Sequence, residues 1–251
     1  MGVPAGTGTL TVLAALLLSF GAPAALEPTF SVLDVSPWGA PMDAGVDGSG
    51  LPCLLYRGFP RLVMPAADPP VELDLPETAL PGGLCVLESG QTLVSDRMGD
   101  LIRRYDGEGA LLEEVAAPGS PGDLAMVGLE YWYFSRDDCR VRQAGDQSRT
   151  VLRVSSDCLL RLSGGSREAV ACDGRRVWRL VPGESPETLP FNCLDAAMLA
   201  GRPLLLVDST TALLLPADTL RLPSPCSRVA GSPGGWALFW SPSSETVTLL
   251  R

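Results

Sequence analysis

An all-β fold is predicted by three observations: short apolar runs, a dense scatter of Gly and Pro between them, and almost no stretch with helical period. From about residue 50 onward the chain breaks into apolar segments of three to six residues, separated by Gly, Pro, Asp and Ser clusters. Its 27 Gly and 23 Pro fall mainly in those breaks, where turns need fixed or positive φ and where a helix would be interrupted. Strands are expected at Gln91 to Ser95, Leu101 to Tyr105, Tyr131 to Ser135, Arg175 to Leu180, Leu204 to Val207 and Trp236 to Trp240.

The amino terminus has a different character. An apolar run from Leu10 to Phe20 is followed by Gly21, Ala22, Pro23, Ala24 and Ala25. This is a signal-peptide layout: the run is too short to span a bilayer, which needs ~20 residues, and small side chains stand where a peptidase requires them. Residues 1–25 are therefore read as a leader cleaved near Ala25, which places the mature chain in a periplasmic or secreted, extracytoplasmic setting. The first basic residue is Arg57, so the usual positive amino-terminal region is lacking and an uncleaved membrane anchor is the competing reading. No later stretch is long and apolar enough to span. Residues 26–49 read as an acidic lead-in strand and linker, and residues 50–251 as the folded domain.

Internal repetition narrows the fold. Five cysteines open segments that run through apolar residues to a Gly: Cys53 to Gly58, Cys85 to Gly90, Cys158 to Gly164, Cys193 to Gly201 and Cys226 to Gly231. A sixth copy without cysteine runs from Asp123 to Gly128. The starts are 32, 38, 35, 35 and 33 residues apart. A period of this size with several short strands per repeat fits the blades of a propeller, because a lone four-stranded sheet cannot bury both faces until neighbours stack around an axis. Six copies predict a six-bladed β-propeller; a β-sandwich or a propeller of another blade number is the alternative.

The best copy, Gly82 to Gly119, places Leu93-Val94-Ser95-Asp96 at the end of one strand and Asp106-Gly107-Glu108-Gly109 at a turn after the next. This segment resembles an NHL-repeat blade, over that blade and more faintly over Cys193 to Asp208. The resemblance implies a six-bladed propeller superfamily whose members bind ligands, bind proteins or hydrolyse substrates, and it selects none of these activities.

Composition excludes several chemistries. The formal net charge is −10, from 29 acidic and 19 basic residues, which disfavours nucleic acid as a partner. The chain has no His, and all 19 basic residues are Arg. Ser-His triads, His-ligated zinc, lysine Schiff bases and P-loop lysines are thereby closed to it. No catalytic residue, metal ligand or cofactor is assigned, and a non-enzymatic binding or protein-interaction module, with a protein or a small polar ligand as partner, is the leading reading. A calcium-dependent lactonase-like hydrolase on the same fold, for which Glu88 and Asp195 would be the available carboxylates, and an envelope structural component are the alternatives.

Seven cysteines beside an export signal read as a disulfide framework. If each opening cysteine begins an innermost strand, Cys53 would join Cys226 and close the ring, and Cys158 would join Cys193. Cys139 and Cys172, 33 residues apart, form the third candidate pair, leaving Cys85 odd. Ligand-binding candidates at the channel mouth are Tyr56, Arg57, Glu88, Arg161, Asp195 and Arg228. The aromatic run Tyr131 to Phe134, and Trp236 with Phe239 and Trp240, are expected to be buried between blades. From Arg136 to Arg179 there are 10 Arg against 6 acidic residues, a basic stretch in an acidic chain.

Overall fold

The computed structural model describes residues 28–67, 69–145, 149–155 and 160–251. The expected leader and Cys158 lie outside these residues. The described chain forms twenty-four strands and no helix, arranged as six antiparallel four-stranded sheets. The first blade contains β2 (Asp43–Val46), β3 (Pro52–Tyr56), β4 (Arg61–Met64) and β5 (Val71–Asp74), running from the axis outward. The second contains β6 (Pro81–Val86), β7 (Thr92–Asp96), β8 (Leu101–Tyr105) and β9 (Leu111–Ala116). The third contains β10 (Pro121–Val127), β11 (Glu130–Ser135), β12 (Arg140–Gln143) and β13 (Thr150–Arg153). The fourth contains β14 (Arg161–Gly164), β15 (Ala169–Cys172), β16 (Val177–Leu180) and β17 (Glu187–Leu189). The fifth contains β18 (Asp195–Leu199), β19 (Arg202–Asp208), β20 (Thr211–Leu214) and β21 (Asp218–Arg221).

The sixth blade takes its inner three strands from β22 (Arg228–Gly231), β23 (Ala237–Trp240) and β24 (Thr246–Leu250), and its outer strand from β1 (Phe30–Asp34) at the other end of the chain. Phe30 stands opposite Leu250 and Asp34 opposite Thr246, so the ring is closed by strand pairing. The six-bladed β-propeller expected from the repeat is thus the fold. Residues 26–49, read as a lead-in, supply both β1 and β2 and belong to the ring.

Six apolar cores lie one between each pair of neighbouring blades, because alternate residues of each strand point to opposite sheet faces. Leu54 faces the sixth blade and Leu55 the second. Trp132 and Phe134 face the fourth blade, whereas Tyr133 faces the second. Each of these three aromatics is buried, as the alternation requires. The blades approach so closely that some inner-strand positions admit only glycine. A Cβ on Gly164 would lie 2.0 Å from the Met126 carbonyl oxygen of the third blade, and one on Gly231 would lie 2.3 Å from the Met198 carbonyl oxygen of the fifth.

Of the five repeat starts among the described residues, four fall in or just before an innermost strand. The exception, Cys53, lies in the second strand of its blade. Among the described residues the six cysteines are free thiols. The expected pairs are separated by the sheets themselves: Cys53 packs toward the second blade while Cys226 packs toward the fifth, and Cys139 and Cys172 pack on opposite sides of the fourth. Neither Cys53 with Cys226 nor Cys139 with Cys172 is therefore a pair. The neighbouring thiols are Cys172 and Cys193, with Sγ atoms 2.9 Å apart.

The Val94-Ser95-Asp96 end of β7 has a local cause. Asp96 Oδ1 accepts the Leu80 and Met98 N–H groups, and Oδ2 pairs with Arg103, so one carboxylate ties together two turns and a strand. Asp106 Oδ1 accepts the Glu108 and Ala110 N–H groups, fixing the next turn.

Candidate functional site

The axis of the ring is organised by three aspartates on alternate blades. Asp43, Asp123 and Asp195 stand at or near the starts of the inner strands of blades one, three and five, and all are buried. Each Oδ1 accepts the N–H of the next residue, Ala44, Leu124 or Ala196, at 3.0 Å. Each Oδ2 reaches the neighbouring blade: Asp43 accepts from Leu84 N–H at 2.9 Å, Asp123 from Leu162 N–H at 2.8 Å and Asp195 from Val229 N–H at 3.0 Å. At the other end of the same strands, backbone bonds join the same blade pairs, from Gly48 to Glu88, Gly128 to Gly165 and Ala200 to Ser232. The hexamer of blades is therefore clasped as three pairs, each held at both ends of its inner strands.

Arg161, at the start of β14, closes the axis over these aspartates. Its Nη2 lies 2.7 Å from Asp43 Oδ1, and its Nε lies 3.3 Å from Asp123 Oδ2 and 3.6 Å from Asp195 Oδ1. Burial works against its charge, yet the three carboxylates outweigh burial and hold its pKa well above the ordinary value. Burial likewise pushes the Asp123 carboxyl up to about 7, with Arg161 opposing the rise and Asp43 adding to it. Asp195 is also raised, first by burial, and Arg161 and Arg228 oppose that rise. At neutral pH the cluster thus has a carboxyl poised to hold a proton.

Above this cluster lies a chamber of about 410 Å³, reaching from Arg161 and Asp123 toward the opposite face of the ring. Its walls are the apolar side chains and backbone of the inner strands, including Leu84, Val86, Leu124, Met126, Leu162 and Val229. Its mouth is polar, with Glu88, Ser89, Gln91 and Ser166. Cys85 stands in the wall, where burial pushes its thiol up to about 12, so it is held as the unreactive protonated form at neutral pH.

The structure divides the candidates from the sequence into two groups. Arg161 and Asp195 meet in the axial cluster, Arg228 acts on Asp195 electrostatically, and Glu88 stands at the chamber mouth. Glu88 and Asp195 do not converge: one belongs to the β6–β7 turn, and the other is bonded to two backbone N–H groups in the floor. Tyr56 and Arg57 lie on the other face of the ring, in a separate groove. Asp43 and Asp123 were missed as site residues. The signal that could have found them is an Asp followed by small or apolar residues, recurring every second blade: Asp43-Ala-Gly-Val46, Asp123-Leu-Ala-Met-Val127 and Asp195-Ala-Ala-Met-Leu199.

Among the described residues no group of three or more His, Cys, Asp or Glu is placed to hold a metal ion, and no helix is long and apolar enough to cross a membrane.

No family model and no curated protein matches the chain. Solved structures do. Virginiamycin B lyase from Staphylococcus aureus superposes with a TM-score of 0.62 over 90% of this chain and 99% of its own, at 10% identity. YCF48 bound to D1 peptide gives 0.57 over 88% and 96%, at 9% identity. BBS1N in complex with ARL6DN gives 0.56 over 84% and 77%, at 11% identity. At these identities the likeness is one of fold, and it spans a lyase and protein-binding modules.

Proposed function

We propose that the chain is a non-enzymatic binding protein of an extracytoplasmic compartment, and that its ligand site is the axial chamber. The observation that carries this reading is the division of labour along the axis: charged groups are consumed at the floor, and the space above them is left apolar. Every carboxylate of the floor already accepts two backbone N–H bonds, and Arg161 is shared among three of them. These groups hold the ring together, their oxygens engaged by backbone N–H groups and Arg161 and not left open to a substrate. Cys85, the thiol in the wall, is disarmed by burial.

The lyase neighbour has a histidine-to-alanine variant described as catalytically inactive. This chain contains no histidine, so that route to turnover is closed to it. An apolar chamber of several hundred cubic ångströms with a polar rim instead suits a slender, mostly apolar small molecule whose polar end stays among Glu88, Ser89 and Gln91. The export part of the proposal rests on the Leu10 to Phe20 run and the Ala22-Pro23-Ala24 site, and amino-terminal sequencing of the mature protein tests it.

The binding proposal is tested by thermal-shift screening of a small-molecule library against the native protein and against Glu88→Trp, which places an indole across the mouth. Hits that stabilise the native protein and lose their effect in Glu88→Trp support the chamber. Hits that act equally on both overturn it.

A further inference from the structure

We infer that the face opposite the chamber mouth docks an extended acidic peptide segment of a partner protein, seating an apolar residue in the groove between blades six and one and placing carboxylates on Arg57, Arg97 and Arg136. The groove, about 530 Å³, is walled by Pro37, Trp38, Met42, Tyr56, Phe59 and Pro242. Proline and aromatic walls of this kind grip an extended backbone, and they leave little for a compact polar ligand to hold.

Two observations point to an occupant. The first is an orphaned polar atom. Tyr56 is only 8% exposed, and its hydroxyl has no hydrogen-bond partner among the described residues. A buried hydroxyl without a partner is costly, and a peptide carbonyl that parts the groove walls on docking would relieve it. In the same inter-blade core the Trp240 indole N–H is also without a partner.

The second is charge. Arg57, Arg97 and Arg136 each follow the second strand of their blade, on blades one, two and three, and the equivalent positions of the other blades are Asp173, Ser209 and Ser241. None of the three arginines is in an ion pair among the described residues, whereas Arg61, beside them, is held by Glu72. Burial lowers the Arg97 pKa, the neighbouring Arg136 and Arg57 lower it further, and Asp137 opposes them. Phe59 and Met98, in the same turns, are 77% and 72% exposed. A row of guanidiniums without carboxylate partners, interleaved with exposed apolar side chains, matches a segment that alternates carboxylates with apolar residues. The chain as a whole carries −10, so the arginine row is a local exception on an acidic protein and selects an acidic segment by local complementarity.

Selection from a displayed random-peptide library on the native protein tests this. The expected result is enrichment of peptides that combine Asp or Glu with Pro, Leu or aromatic residues. Their affinity should fall by roughly tenfold or more in the Arg57→Ser/Arg97→Ser/Arg136→Ser variant and weaken with added salt. These arginines form no ion pairs and give up one hydrogen bond, from Arg97 Nε to Ser120 Oγ at 3.2 Å, so that variant should melt within a few degrees of the native protein. Tyr56→Phe separates recognition from folding: affinity should fall several-fold while stability holds or rises. No acidic enrichment, or peptides retained by the arginine variant, would overturn the inference. So would binding of heparin in competition with peptides that carry no apolar residue, which would mark a mere polyanion patch.

Discussion

Arg161 of the fourth blade places its guanidinium 2.7 Å from Asp43 of the first, joining residues 118 apart in sequence across the axis of the ring. The same side chain touches Asp123 and Asp195, so one cation offsets three buried carboxylates that themselves clasp blade to blade. Replacing it should be costly. Arg161→Met leaves those carboxylates without their cation, and the expected loss is about 3 to 5 kcal/mol in urea denaturation at neutral pH. Part of that loss should return at pH 5, where Asp123 and Asp195, whose carboxyls are raised by burial, can take up protons. A loss under about 0.5 kcal/mol would show that the cluster does not organise the ring.

Stability should also fall as pH rises. The folded Asp123 carboxyl is raised to about 7, whereas its unfolded value is near the ordinary ~3.9. The folded state therefore binds the proton more tightly between these values, and by linkage its contribution is fully present below about 4 and lost as pH climbs through about 7. Melting temperature measured from pH 5 to pH 8 should decline, and the decline should flatten in Asp123→Asn. Asp195 is raised in the same cluster, and the charges of Asp43, Arg161 and Arg228 act on these two carboxyls, so the observed midpoint belongs to the cluster. A native profile no steeper than that of Asp123→Asn would count against it.

Oxidation should join Cys172 to Cys193. Their sulfurs are 2.9 Å apart across the interface of blades four and five, beyond the ~2.05 Å of a disulfide but within a small side-chain rotation of it. The Cys193 thiol is pushed up by its bond to Cys172 and by burial, so exchange should be slow at neutral pH. Diamide treatment followed by peptide mapping should recover this bridge, with both thiols giving up their hydrogens to the diazene. Recovery of Cys53 linked to Cys226 would contradict the packing described above.

Close blade contact predicts a sharp contrast between two glycines. Gly164→Ala forces a methyl against the Met126 carbonyl oxygen and should cost about 2 kcal/mol or more. Gly58→Ala meets nothing within 4 Å and should stay within about 0.5 kcal/mol of native. Chemical denaturation of the two variants side by side gives the comparison.

Much of the fold could be read in the sequence, because blades repeat their strand lengths and their glycine turns. Segments such as Leu101 to Tyr105 and Trp236 to Trp240 coincide with strands or nearly so, and the repeat period marks the inner strands of blades two, three, five and six at Cys85, Asp123, Cys193 and Cys226. The first blade was displaced by one strand because Cys53 sits in β3, and nothing local to Asp43 distinguishes an inner strand from a linker. Ring closure depends on residues at opposite ends of the chain, which a linear pattern of this kind does not bring together. The site was legible only in pieces. Arg161, Asp195 and Glu88 were identifiable as charged residues in or near inner strands, but that two of them serve the floor and one the mouth follows from strand direction. The pairings of Cys53 with Cys226 and of Cys139 with Cys172 failed for a related reason: the sheet face that each side chain takes decides its neighbours, and a shift of one residue reverses that face.

The most direct test is a crystallographic fragment screen of the native protein. The division between a charged floor and an apolar chamber predicts that bound fragments gather above Arg161, in contact with Leu124, Met126 and Leu162, with their polar ends toward Glu88. Fragments confined to the outer surfaces, with the chamber closed by its own side chains, would contradict it.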